Sequence, residues 1–116
     1  MPKIYLSGAI LGRNLSHVKK EFQQIKKEVI KVNSKFFPKK KIKVINPLEL
    51  SDKPNKEWGY YMKKDIAELL KCDVLINIKN GGWEKSEGAK LERLIAKKLG
   101  IKIISLDKYL MKPVLK

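Results

Sequence analysis

Between residues 15 and 33, Leu15, Val18, Phe22, Ile25, Val29 and Val32 recur at intervals of three and four. That spacing lines side chains along one face of a helix, and Asn14 or Ser16 is placed to cap its start. The pattern on either side is different. Residues 3 to 7, "KIYLS", form a short apolar run ended by Gly8, and "KIKVIN" at 41 to 46 is a second such run closed by Pro47. Both read as buried strands. "PLELSDKPN" at 47 to 55 reads as a loop. A second helix is expected from about 56 to 71, where Trp58, Tyr61, Met62, Ile66, Leu69 and Leu70 form a broad apolar stripe. "DVLINI" at 73 to 78 gives a third strand. A loop and third helix follow, ending at Gly100, and "IKIIS" at 101 to 105 is a fourth strand before a short C-terminal turn or helix that Pro113 interrupts.

Strand and helix alternate through the whole chain, the order of a parallel sheet covered on both faces with right-handed crossovers. The expected fold is therefore α/β, a small three-layer sandwich with a parallel sheet of four to five strands in order 2-1-3-4. In that order the switch point falls between strands 1 and 3, and ligands of such sheets bind there, at the carboxyl ends of the strands. The loops expected to meet at that point are "SGAILGRN" after strand 1 and "KNGGWEKS" after strand 3.

Length sets one domain over residues 1–116, large enough for a modest core without disulfides. No apolar run approaches a membrane span and the start has no signal-type apolar segment, so the expectation is a cytoplasmic protein without a membrane partner. The single Cys72 agrees with a reducing compartment. One cysteine and one histidine exclude a metal site of the usual N/S type, and no cofactor is expected. The formal charge of +15 raises nucleic acid as a partner, yet all but two of the 27 basic residues are lysine, the exceptions being Arg13 and Arg93. Lysine lacks the planar fork that reads guanine edges, and these lysines are dispersed. Nucleic acid is possible on charge but not favoured, and solvated helix faces account for the lysines.

The candidate chemistry sits in "GGWEKSEGAKLE", residues 81 to 92. Ser86 is a good helix cap. Gly88 costs about 0.8–1 kcal/mol against alanine inside a helix, and it stands one turn before Glu92. Helix side chains lean toward the N-terminus, so Glu92 is expected over the space Gly88 leaves. Bare backbone, free helix N–H groups and a carboxylate make a seat for a polar ligand; the plain alternative is a solvated Glu92. Asp65 falls inside the apolar stripe of the second helix, where a carboxylate is costly unless paired or used, unless it reaches out from the stripe edge. Two carboxylates at one crevice suit cleavage at the anomeric carbon of a sugar.

With these residues on the page, "KIYLSGAILG", "YYMKKDIAELLKCDVLI" and "GGWEKSEGAKLERLIAKKLGIKII" together resemble the nucleoside 2-deoxyribosyltransferase superfamily, which includes the 2'-deoxynucleoside 5'-phosphate N-hydrolases. Nearest in character is a small branch often encoded by phages and mobile elements. The resemblance runs through nearly the whole chain and implies a Rossmann-like (flavodoxin-like) domain that cleaves an N-glycosidic bond of a nucleoside or nucleotide substrate. It implies Glu92 as the nucleophile at C1', Asp65 as the group that protonates or holds the departing base, and Tyr5 as the strand-1 hydroxyl holding the glutamate. Ser86 and Gly88 match positions that meet the sugar or its 5'-phosphate, and Gly8, Ile10 and Gly12 match the loop over the nucleotide. Trp83, like Trp58, is placed to stack on a base or to pack.

In one place the first loop departs from the N-hydrolases. Leu11 stands where they carry an arginine, and Arg13 follows two residues later, which leaves the phosphate requirement open. The extended C-terminal segment that transferases use across a subunit contact has no match, which favours hydrolysis over transfer. The resemblance also implies a homodimer, for which Trp58, Tyr60 and Tyr61 are candidate contacts. The competing readings are a module that binds a nucleotide without turnover and a basic protein associated with nucleic acid.

Overall fold

Helix α1 shows most directly how pattern becomes structure. In the computed structural model, which describes residues 1–51, 53–54 and 56–116, it spans Leu15–Phe36, and Val18, Phe22, Ile25 and Val29 are its buried stripe. Asn14 is its cap, the side-chain oxygen accepting from the His17 amide at 3.0 Å. The chain then runs β1 (Lys3–Ser7), α1, β2 (Lys43–Ile45), a 3-10 turn (Pro47–Glu49), α2 (Trp58–Leu69), β3 (Val74–Asn77), α3 (Glu87–Lys98), β4 (Lys102–Ser105) and α4 (Leu106–Met111). The loop expected at 47 to 55 thus begins with a helical turn; its Asp52 and Asn55 lie outside the described residues.

The four strands are parallel, in the order β2-β1-β3-β4, as the alternation of elements predicts. Among the described residues the sheet has four strands, the lower number of the expected range. Alternate residues of β1 and β3 serve two cores. Ile4, Leu6, Val74 and Ile76 join Phe22, Val29 and Tyr109 under α1 and α4. Tyr5, Ile45 and Leu75 join Leu69 and Ala96 under α2 and α3. Because β1 and β3 are adjacent and central, their carboxyl ends open at the switch point, with the β1–α1 and β3–α3 loops above them. Among the described residues, no helix is long and apolar enough to cross a membrane.

β2 is shorter than the six residues its apolar run suggests. Its pairing starts at Lys43, opposite Lys3, the first residue of β1, so residues 41 and 42 have no strand beside them. It ends before Pro47, which has no amide to donate.

Candidate functional site

Tyr5 and Ser7 are two apart on β1, so both point to the α2–α3 side of the sheet, and both are fully buried. Above them, α3 presents Ala89, Glu92 and Ala96 as its buried face. The carboxylate of Glu92 is thereby lowered onto two hydroxyls. Tyr5 Oη donates to Glu92 Oε2, and Ser7 Oγ donates to Glu92 Oε1 at 2.7 Å. Glu92 is 4% exposed.

Burial raises Glu92 to about 7, against the pull of the Tyr5 and Ser7 hydrogen bonds and the Arg93 charge toward ionisation. Asp65, half-buried on α2, is raised to about 8, first by burial and then by the charge of Glu92. Burial, together with the nearby Glu92 and Asp65 charges, lifts Tyr5 well above the ordinary tyrosine value, so its hydroxyl keeps its proton and stays a donor. The structure therefore brings Tyr5, Glu92 and Asp65 into one electrostatic unit. Near neutral pH both carboxyls therefore hold their protons more tightly than ordinary carboxylates do.

Ser86 caps α3, its Oγ accepting from the Ala89 amide at 3.3 Å. Gly88 differs from its expected setting. A Cβ built there would come 3.2 Å from the Met62 sulfur and 3.8 Å from Trp58 Nε1, so the bare backbone faces α2 instead of open space. Gly8 lies at the end of β1 against the other core, where a Cβ would meet Ile78 at 3.1 Å and Phe22 at 3.3 Å. Ile10 packs on that same α1-side core. Gly12 is exposed with φ +82°, a turn position suited to glycine. Gly8, Ile10 and Gly12 thus form the β1–α1 loop without contributing a side chain to the Glu92 carboxylate. Trp83 is partly buried, with the Arg93 guanidinium 4.9 Å and the Lys79 ammonium 5.8 Å from its ring centre.

Arg13 is committed elsewhere. It forms a two-pronged pair with Glu21, both contacts 3.0 Å, and donates to the Ala9 carbonyl at 2.9 Å. Asn80 also donates to Glu21, which ties the β1–α1 loop to the β3–α3 loop. Tyr61, a candidate for a subunit contact, donates to the Lys53 carbonyl at 2.7 Å.

Ser7 escaped the sequence reading, although its spacing from Tyr5 in a buried strand was a usable signal. Met62 and Arg93 escaped it too. Met62 reads as ordinary stripe, and Arg93 enters the sequence analysis only as one of two arginines, yet its Nη1 is buried without a partner.

The solved structures that share this architecture include a 2-deoxyribosyltransferase from the psychrotolerant bacterium Bacillus psychrosaccharolyticus. It is 21% identical, with 89% of this chain and 70% of that one aligned and a TM-score of 0.56. A conserved protein from Enterococcus faecalis V583 aligns at 22% identity over 90% of this chain and 62% of its own, with a TM-score of 0.58. At such identities the likeness is one of fold. No curated protein matches the chain. The family model for a domain of unknown function, DUF4406, matches residues 2–105, a span that contains Tyr5, Ser7, Asp65 and Glu92, and the chain belongs to that family.

Proposed function

We propose that the protein cleaves the N-glycosidic bond of a nucleoside or (deoxy)nucleoside 5'-monophosphate through a covalent glycosyl-Glu92 intermediate, and that water takes up the sugar. The observation that carries this reading is the Glu92 carboxylate, buried, held on both oxygens by Tyr5 and Ser7, and electrostatically coupled to Asp65. The fold shared with a 2-deoxyribosyltransferase supports it.

The chemistry follows from the two raised carboxyls. Ionised Glu92 attacks C1' as the C1'–N bond breaks, and the electron pair leaves with the base. Asp65, raised to about 8, still carries a proton at neutral pH and delivers it to the departing base. Water then attacks C1', the sugar–Glu92 bond breaks, and the proton from water returns to Asp65. Glu92 leaves as carboxylate, stabilised by the two hydroxyls. No metal or cofactor enters this sequence.

The alternative is a nucleotide-binding module without turnover. Its supporting observation is that Glu92 is 4% exposed, so a reacting sugar requires the side chains over it to move. The test incubates the protein with a panel of nucleosides and their 5'-monophosphates and follows free base by chromatography. Base release from the wild type and none from Glu92→Gln is the expected result. Ligand binding with no base released from any of them would establish the module instead.

A further inference from the structure

Ser7, Asn77 and Ser105 end three adjacent strands in one register row. The first is occupied with Glu92. The second is not: Asn77 is 7% exposed, and its Oδ1 is buried with no hydrogen-bond partner. An unpaired buried acceptor costs about 1–3 kcal/mol, and buried amides are ordinarily satisfied.

An open cleft of about 350 Å³ adjoins this residue and runs along edge strand β4 from Lys102 to Ser105, with Asn77, Lys79 and Lys108 completing its lining. Three lysines and no carboxylate line it. A second cavity of about 230 Å³ shares Asn77, Lys79 and Ser105 and leads on to Glu21 and Asp107, so the acidic groups stand at the far end. Glu92 lines neither cavity. Three lysines line this concavity, although the Lys79 ammonium also stands beside the Trp83 ring, and with no opposing carboxylate they give it a local positive potential suited to a compact multiply charged oxyanion. Lysine, a point charge with three donors, accepts phosphate without demanding a planar fork. A hydroxyl at Ser105 adds a donor, and the Asn77 amide adds another when turned to present its NH2, which also removes the unpaired oxygen from its present place.

We infer that this cleft binds a phosphate group. The inference rests on the proposed function for the ligand's other half. Neighbouring strands lie about 4.8 Å apart, which puts the Ser105 end of the row about 10 Å from Ser7. A sugar held at Glu92 reaches that far with a diphosphate or longer chain, so the site admits polyphosphorylated nucleosides as well as the free ion.

Isothermal titration of the full protein with inorganic phosphate, pyrophosphate, and nucleoside 5'-mono- and diphosphates tests this without any turnover. Lys102 and Lys108 are exposed, so Lys102→Gln/Lys108→Gln is expected to fold normally and to lose at least about tenfold in affinity for whichever phosphate probe binds. Lys39→Gln/Lys41→Gln, with the same charge change elsewhere, is expected to retain binding. Tighter binding of the diphosphate than of pyrophosphate identifies a nucleotide as the source, whereas equal or weaker binding identifies the free ion. No binding by any probe, or equal losses in the two lysine pairs, overturns the site. If binding holds while no base is released from any substrate, the phosphate site stands and the glycosidase reading alone falls.

Discussion

Replacing Glu92 with glutamine is expected to stabilise the protein in base and to leave it nearly unchanged in acid. Burial raises the Glu92 carboxyl from its ordinary 4.5 to about 7 in the folded state. Between those two values the folded chain holds a proton that the unfolded chain has released, so stability falls as pH rises. At about 1.4 kcal/mol per pH unit, the loss on this group amounts to about 3 kcal/mol once pH passes 7. Below the ordinary value the group is protonated in both states and the loss vanishes. Glutamine never ionises. Its carbonyl accepts from one of Tyr5 and Ser7, and the other hydroxyl turns to accept from the amide, so neither is stranded. Urea unfolding of both proteins at a series of pH values from about 4 to about 9 measures the difference. The gap should open in favour of Glu92→Gln through the interval from 4.5 to about 7, and Asp65, also relieved of a neighbouring charge, should widen it further. A gap that does not change with pH, or a variant less stable than wild type at high pH, would refute the assignment of a buried, proton-retaining carboxyl at position 92.

If the enzyme reading holds, base release should follow a bell-shaped pH profile. It rises as Glu92 ionises near 7 and falls as Asp65 loses its proton near 8; a rate that keeps climbing well above pH 8 would remove Asp65 as the acid. Gly88→Ala gains up to about 1 kcal/mol of helix propensity and asks the flexible Met62 side chain to give by a few tenths of an ångström. Its melting temperature should therefore stay level or rise, and a loss of more than about 1 kcal/mol would mean that Met62 is held too firmly to move. A homodimer is expected from light scattering at micromolar concentration, and monomer mass would withdraw it.

The fold was legible because its elements carry unequal but compatible patterns. The α1 stripe has a helical period, while Ile4 to Leu6 and Val74 to Ile76 are unbroken apolar runs of the kind that only strands covered on both faces require. Their alternation then left few topologies. The boundaries were less legible, because they depend on partners far along the chain: β2 begins where Lys3 begins, a fact absent from residues 41 to 46 themselves. Asp65 stood out as a carboxylate inside an apolar stripe, and Glu92 by its place one turn after a glycine inside a helix. Ser7 did not, since a serine at a strand end also reads as the entry to a loop, and its partner lies 85 residues away. Gly88 was visible as an anomaly, but what faces it was not. A missing side chain marks a close approach without saying whether a ligand or, as here, the Met62 thioether makes it.

The cost of Glu92 itself bears on function. A neutral glutamine fits the same two hydroxyls, and an apolar residue beside a phenylalanine and an alanine in place of Tyr5 and Ser7 would fill the space between α3 and β1. Either solution avoids a carboxyl that burial penalises by about 3 kcal/mol above neutrality, a large part of the 5–15 kcal/mol typical of a whole domain. Structure alone gives no reason to keep the acid there, and still less to set Asp65 close enough for Glu92's charge to raise it. The pair makes physical sense where one carboxyl must be a nucleophile and the other a proton donor at the same pH, because burial raises both and the charge of Glu92 makes Asp65 the weaker acid of the two.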